Sequence, residues 1–244
     1  MISLIVPCLN ERKNIIGFLE SLDNQSCWMF EVVVVDGGST DGSRKLFDIY
    51  PALFPITKLL NRKRNLGFIR NLGAHSSKGN ILLFSNSDAV FPTDFLEKIL
   101  ESFEDPRLLA LSGRTIPLDA GSLTKASYFA FDKLRALFSR LGKFSPSGNF
   151  LAISRDAFFD LGGFPEDPVN EDSGLGDRIV DYARLKNLRF RFDQNICAAH
   201  HIKQRRSGWR TLLFYFYVFG NFSSDLKLIL SPITRKRARE FNEK

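Results

Sequence analysis

Cysteine is scarce in this chain of 244 residues: there are three, Cys8, Cys27 and Cys197. The number is odd and no pair has CxxC spacing. That argues against a disulfide framework or a zinc site and fits a reducing compartment. Also missing is an apolar run of the ~20 residues that a membrane-spanning helix needs. The segment Leu212-Leu213-Phe214-Tyr215-Phe216-Tyr217-Val218-Phe219 is too short, and extending it meets Asn221, Asp225 and Lys227. The amino terminus has no basic lead. Its apolar start, Met1 to Val6, is broken by Pro7, Asn10 and Glu11, so it reads as a buried first strand and not as a signal peptide. No internal repeat or low-complexity linker is visible, which leaves one domain with a C-terminal elaboration.

Against these shortages stand 24 phenylalanines and a formal net charge of +7. The hydrophobic share of 44% is ordinary for a globular chain, so much of the aromatic excess must line a core. The positive balance favours anionic partners: nucleotide phosphates, nucleic acid or an acidic membrane surface. Charge alone does not choose among them, and solvated surface accounts for it equally well.

Periodicity predicts alternating strands and helices through the first ~115 residues. Strands are expected at 2–7, 31–36, 56–60, 81–84 and 108–115, with helices at 11–22, 68–77 and 93–103. A further helix follows the turn 37–42, capped by Ser39, Thr40 or Asp41. The continuous apolar runs Val32-Val33-Val34-Val35 and Ile81-Leu82-Leu83-Phe84 suit strands of a parallel sheet covered on both faces. The alternation implies an α/β doubly wound sheet with right-handed crossovers. Beyond it, 123–141 carries Ala126, Phe129, Ala130, Leu134, Leu137, Phe138 and Leu141 at helical spacing, with Lys125, Lys133, Arg135 and Arg140 between them. A strand at 149–154, helices at 155–161 and 173–186, and an extended stretch at 188–193 complete the pattern.

Three strands end in polar clusters: Pro7–Glu11, Asp36–Asp41 and Asn86–Asp88. In open α/β sheets ligands bind beyond the carboxyl ends of the strands, so these clusters are expected to converge. Each carboxylate alone also reads as a helix cap or a turn residue; three together point to a site. Asp88 is the candidate ligand of a divalent cation held against phosphates. Asp36 is suited to hydrogen bonds with a base or ribose. Arg70 offers a fixed positive charge for phosphates, or is an exposed helix arginine. Glu171-Asp172 follows a Gly- and Pro-rich stretch and precedes a helix. A carboxylate there can take a proton from a hydroxyl or simply favour the helix N-terminus.

Five stretches, in order, resemble the inverting, GT-A-fold family 2 glycosyltransferases. They are Val6-Pro7-Cys8-Leu9-Asn10-Glu11, Val35-Asp36-Gly37-Gly38-Ser39-Thr40-Asp41-Gly42, Asn65 to Gly73, Leu161-Gly162-Gly163-Phe164, and Glu171-Asp172-Ser173-Gly174-Leu175-Gly176-Asp177-Arg178. Their order and spacing agree with the family over about residues 2–220. The resemblance implies a GT-A-type, Rossmann-like, mostly parallel central sheet flanked by helices, with a C-terminal helical elaboration. It implies a glycosyltransferase domain over 1–220, its nucleotide-sugar half at about 1–115 and its acceptor half at about 116–220, and a basic tail at 221–244. Pro7, Glu11 and Asp36 would bind the nucleoside of a UDP- or GDP-sugar, with Arg70 and Asn86 beside them in the donor site. Asp88 would be the second aspartate of the metal motif for Mg2+ or Mn2+. His200, in a stretch resembling the family's later histidine segment, would join the metal or diphosphate site; standing alone, paired histidines after a strand also read as structural. Asp172 would be the catalytic base, and the partner a glycan or a lipid-linked acceptor. The metal motif departs from the family: it reads Asn86-Ser87-Asp88, with an amide for the first carboxylate. Asparagine still offers a carbonyl oxygen. The signature of processive synthases is absent, Gln204-Arg205-Arg206-Ser207-Gly208-Trp209 being only a loose echo, so single addition is expected.

Two other functional classes compete. The altered metal motif also suits a nucleotide-sugar-binding protein that has lost catalysis, although Glu171-Asp172 is retained. Nucleic-acid binding would rest on charge and the Arg-rich tail alone; strand-end carboxylates would repel phosphates without a metal, so no nucleic-acid partner is expected. A cytoplasmic protein is expected, peripheral at an anionic membrane through the basic stretch 123–141 and the aromatic segment 212–219. That segment also reads as a core helix.

Overall fold

The computed structural model describes residues 1–62, 65–146, 149–166 and 171–201, with the side chains of 171–173 outside that description. The chain order is β1 (Ile2–Cys8), α1 (Ile15–Asp23), β2 (Phe30–Asp36), α2 (Ser43–Ile49), β3 (Ile56–Leu60), α3 (Leu66–His75), β4 (Ile81–Phe84) and β5 (Ala89–Val90). It continues with α4 (Phe95–Ser102), β6 (Leu108–Pro117), α5 (Ser122–Arg140), β7 (Leu151–Ser154), α6 (Arg155–Asp160), α7 (Glu171–Lys186) and β8 (Arg189–His200).

β-Branched and leucine runs make the strands, and the twofold alternation of side chains divides them between two cores. Ile2, Leu4 and Val6 of β1, with Val32 and Val34 of β2, face Phe18 and Leu19 of α1, Phe47 of α2 and Phe95 and Ile99 of α4. Ile5, Val33, Leu82 and Phe84 face the other way, towards Ala74 of α3, Phe158 of α6 and Leu175 and Ile179 of α7. The phenylalanine excess is spent there. Phe84 meets Phe158 and Phe164 at centroid distances of 5.0 and 4.8 Å, and Phe95 meets Phe91 and Phe150 at 4.6 and 5.0 Å.

The strands form one sheet in the order β3-β2-β1-β4-β7-β6-β8-β5. β3, β2, β1 and β4 are parallel neighbours. β7 runs antiparallel between β4 and β6, β8 is parallel to β6, and β5 is antiparallel to β8. The expected mostly parallel sheet flanked by helices is therefore present. The expected division near 115 falls inside β6, and the one near 220 lies outside the described residues.

Three elements differ from the sequence reading. Residues 11–14 form a turn and α1 begins at Ile15, because Asn10 adopts a left-handed φ of 55° and the amides of Asn14 and Ile15 both close on the Glu11 carbonyl. β8 extends to His200 through a register shift: Gly113 pairs with Asp193, but Arg114 already pairs with Cys197. The polar Asp193-Gln194-Asn195 stretch, which reads as a strand end, belongs to that bulge. The two-residue β5 pairs Ala89 with His200, and its shortness hides it from any periodicity.

Candidate active site

The three strand-end clusters converge. β1 and β2 pair through to Cys8 opposite Asp36, and loop contacts stitch their ends together. The Asn10 amide donates to Ser39 Oγ at 3.0 Å, the Thr40 amide to Asn10 Oδ1 at 2.9 Å, the Glu11 amide to Ser43 Oγ at 2.8 Å and the Arg12 amide to Asp41 Oδ2 at 3.0 Å. From the end of β4, Ser87 Oγ donates to the Pro7 carbonyl at 3.2 Å. Gly42, at φ 90°, precedes α2, and Asp41 Oδ1 accepts from the Ser43 amide at 2.9 Å. The cap expected from residues 39–41 thus comes from Asp41, one residue ahead of the cap position.

Asp36 is buried, and its Oδ1 accepts from the amides of Gly38 and Ser39, both at 2.7 Å. Its Oδ2 is buried without a hydrogen-bond partner among the described residues. The neighbouring cavity, about 360 Å³, is lined by residues 36–40 and by Arg44, Leu60 and Arg62. Sequence reasoning missed both arginines. Arg62 stands two residues beyond the carboxyl end of β3, so the strand-end rule used for β1, β2 and β4 would have found it.

Asp88 is likewise buried, and its Oδ1 has no hydrogen-bond partner among the described residues. Burial pushes its carboxyl up to about 6, with the charge of His201 pulling weakly the other way. A desolvated carboxylate with an open oxygen is stabilised by an added cation. β5 brings the histidines here: the His201 amide donates to the Asp88 carbonyl at 3.1 Å, and His201 Nδ1 lies 2.5 Å from Asp119 Oδ2. His200 is buried, with Nε2 3.4 Å from Asn149 Nδ2. Asn86 donates its amide to Asn149 Oδ1 at 2.5 Å. Asn149, also missed in the sequence, therefore joins the altered motif position to the histidine segment. Among the described residues no group of three or more His, Cys, Asp or Glu side chains could hold a metal ion.

Pro7 is half-buried and Glu11 is buried, its Oε2 accepting from Asn14 Nδ2 at 2.8 Å. Arg70 is buried and not an exposed helix residue; its guanidinium carbon sits 5.0 Å from the Phe164 ring centroid. Asn65 and Asn71, in the same stretch, clasp the turn that leads to α7. Asn71 Nδ2 donates to the Phe164 carbonyl at 3.0 Å, the Phe164 amide to Asn71 Oδ1 at 2.9 Å, and Asn65 Nδ2 to the Glu166 carbonyl at 2.6 Å. Arg178 of α7 donates to the carbonyl of Leu161 at 2.9 Å. Gly163 sits inside this clasp at φ 70°, and a Cβ there would meet Asn71 Oδ1 at 2.6 Å, so glycine is required twice over. Asp172 stands in the first turn of α7; its side chain, the stretch 167–170 and everything beyond 201 lie outside the described residues.

Cys8 is buried between these clusters. Burial, and then the nearby Asp36 charge, push its thiol up to about 11, which leaves almost no thiolate at neutral pH.

The chain is similar in sequence and in fold to known glycosyltransferases. The chain is 32% identical over 113 residues to an uncharacterised glycosyltransferase, YfnE, of Bacillus subtilis, an alignment covering 46% of this chain and 29% of that protein. It thus spans under a third of the length of that relative. A glycosyltransferase of PGL/p-HBAD biosynthesis from Mycobacterium bovis is 26% identical over 214 residues, covering 77% of this chain and 84% of the relative. The fold matches a solved mannosyltransferase from Pyrobaculum calidifontis, in complex with GDP-mannose and Mn2+, with a TM-score of 0.69 and 24% identity, over 97% of this chain and 68% of that one. The family model described as glycosyl transferase family 2 matches residues 3–162, more than half of the chain, and the chain belongs to that family.

Proposed function

We propose that this protein transfers a sugar from a nucleotide-diphosphate donor to an acceptor hydroxyl, with inversion at the anomeric carbon. One observation carries the reading: Asp36 ends β2 and Asp88 closes the polar cluster after β4, the two strands that flank β1, both are buried, and each keeps one carboxylate oxygen without a hydrogen-bond partner among the described residues. Two such oxygens at one sheet edge suit a ligand that brings a hydrogen-bond donor to one and a cation to the other. Asp36 Oδ2 accepts an N–H or O–H from the nucleoside, whose base occupies the cavity beside Arg44 and Arg62. Asp88 suits Mg2+ or Mn2+ because a single carboxylate suffices when phosphate oxygens and water complete the shell. His200 and Asn86 adjoin it, tied to each other through Asn149. Held there by Asp88, such an ion would supply positive charge against the departing diphosphate. Asp172, at the start of α7, accepts the proton of the acceptor hydroxyl as its oxygen attacks the anomeric carbon. The bond to the diphosphate breaks on the opposite face, and this single displacement inverts the centre. The glycosyltransferase names of the relatives and the GDP-mannose and Mn2+ bound to the archaeal neighbour support this assignment.

Release of nucleoside diphosphate from a panel of UDP- and GDP-sugars, with and without Mn2+, tests it. The wild type is expected to turn over at least one donor only with the metal. Asp172→Asn is expected to lower turnover by roughly 10²–10⁴ while calorimetric donor affinity stays nearly intact. Wild-type turnover in the variant would remove Asp172 from the role of base. A second reading rests on Asn86, the amide in the metal motif. A protein that binds donors tightly and turns over none would be a nucleotide-sugar-binding module.

A further inference from the structure

Helix α5 turns Asp132 and Arg135 inward and its leucines outward. Tyr128, Phe131, Asp132 and Arg135 are buried. Arg135 donates through Nε and Nη2 to the Ser145 carbonyl at 3.2 and 2.8 Å, and Asp132 lies 3.8 Å from Arg114 Nε and 4.0 Å from Arg135 Nη1. These contacts set the rotation of the helix about its axis. The opposite side carries Leu123, Ala126, Ala130, Leu134, Leu137 and Leu141. At 100° per residue they fall within an arc of about 80°. Leu123, Leu137 and Leu141 are 70%, 50% and 65% exposed. A surface helix of a globular protein normally points such a stripe at its core, and a contiguous exposed one marks a binding surface.

One border of the stripe is cationic, with Lys133 and Arg140 about 20° and 40° beyond its edge at 100° per residue. Lys125, Lys133, Arg140 and Lys143 are exposed, and between residues 120 and 146 the only carboxylate is the buried Asp132. A second copy of this chain on a twofold axis would set these cations against themselves. An anionic bilayer takes both parts of the surface: leucines enter the headgroup boundary while lysine and arginine meet lipid phosphates.

We propose that the outward face of α5 docks the protein on an anionic lipid bilayer. The inward face of the same helix borders the candidate site. The Tyr128 ring lies 5.9 Å from that of His200, and Asp119, just ahead of the helix, pairs with His201. The bilayer would then lie about one helix diameter, ~10 Å, from His200. Resting on the sugar-transfer reading above, this position selects an acceptor hydroxyl carried by a lipid.

Co-sedimentation of the full chain with phosphatidylcholine vesicles, with and without phosphatidylglycerol, at low and high salt, tests the surface. The wild type is expected to pellet with phosphatidylglycerol vesicles at low salt and to be released at high salt. The double variant Leu137→Glu and Leu141→Glu is expected to lose binding by at least about tenfold. Leu185→Glu, at another exposed leucine on α7, should bind as the wild type does. A wild type that stays in the supernatant, or a double variant that binds normally, overturns the proposal. So does light scattering that finds a wild-type dimer and a monomeric double variant, since the face would then be an interface between copies. Donor hydrolysis without vesicles, read on the same samples, is expected to be equal in wild type and double variant. Vesicle binding without hydrolysis in any sample would sink the transfer reading alone; hydrolysis without vesicle binding would sink the surface alone.

Discussion

Asp88 is a side chain that the described fold leaves incompletely satisfied. Its carboxyl follows the fully buried strand β4, keeps Oδ1 without a partner among the described residues, and is pushed up to about 6 by burial. A structural aspartate would find amides or a guanidinium, as Asp36 does on its Oδ1 side. Asp88→Ala is therefore expected to remove the metal-dependent part of donor binding. Calorimetry with and without Mn2+ checks this, and an unchanged affinity difference would put the cation elsewhere. Asn149 gives the companion case. It receives the Asn86 amide and faces His200, so Asn149→Ala leaves a half-buried amide unpaired. Losing such a bond typically costs 1–3 kcal/mol, which predicts roughly a tenfold weaker metal-dependent donor affinity. Equal affinity in the variant would show that Asn86 needs no tether.

Among the elements, α5 separates what periodicity can reveal from what it cannot. The stripe from Leu123 to Leu141 is plain in the sequence, but its direction is not. Asp132 and Arg135 face inward because Arg114 comes from β6 and the Ser145 carbonyl from the loop before β7, partners distant in sequence or conformation. In the same way β1, β2 and β4 were legible as unbroken apolar runs, and their polar ends located the site. β5 was not, having only two residues, and the far half of β8 hid behind its polar bulge. Asn149 stood in an unremarkable stretch and became visible only when β7 was laid beside β4. The buried pair on α5 also makes a prediction. Burial carries the Asp132 carboxyl from an ordinary 3.8 up to about 6, with Arg135 and Arg114 pulling the other way. A carboxyl raised in the folded state contributes stability below about pH 4 and loses it as pH rises through 6. At 1.36 kcal/mol per pH unit, the loss is at most about 3 kcal/mol. Urea unfolding of the wild type and Asp132→Asn between pH 4 and 7 should show a steeper decline in the wild type, whatever constant offset the lost charge introduces. Parallel curves would mean that Asp132 titrates as an ordinary carboxyl.

At the scale of the whole molecule, the sheet divides its labour. The parallel strands β3, β2, β1 and β4 bring Arg62, Asp36, Pro7 and the Asn86–Asp88 cluster to one edge, while β8 and β5 return His200 and His201 to it from the other flank. Two buried carboxylates at this edge oppose a phosphate ligand, whereas the net charge of +7 draws one in. On the proposed reading a divalent cation would resolve that conflict locally, by cancelling the repulsion between these carboxylates and the diphosphate. Nucleoside diphosphate and metal should therefore stabilise the fold together and only weakly apart. Saturation at about 100 times Kd adds about 2.7 kcal/mol, and in a chain of this size each kcal/mol moves Tm by roughly 2–4 °C. UDP or GDP with Mn2+ is thus expected to raise Tm by about 5–10 °C, and the better of the two identifies the base that fits between Arg44 and Arg62. The same nucleotide without metal, the metal alone, and the nucleotide with Mn2+ on Asp88→Ala should each move Tm by no more than about 2 °C, the linkage shift left when the ligand is near its Kd. Thermal melts across these combinations decide the matter: a full shift without metal would make Asp88 a hydrogen-bonding group, and no shift with any nucleotide would remove the donor site from this edge of the sheet.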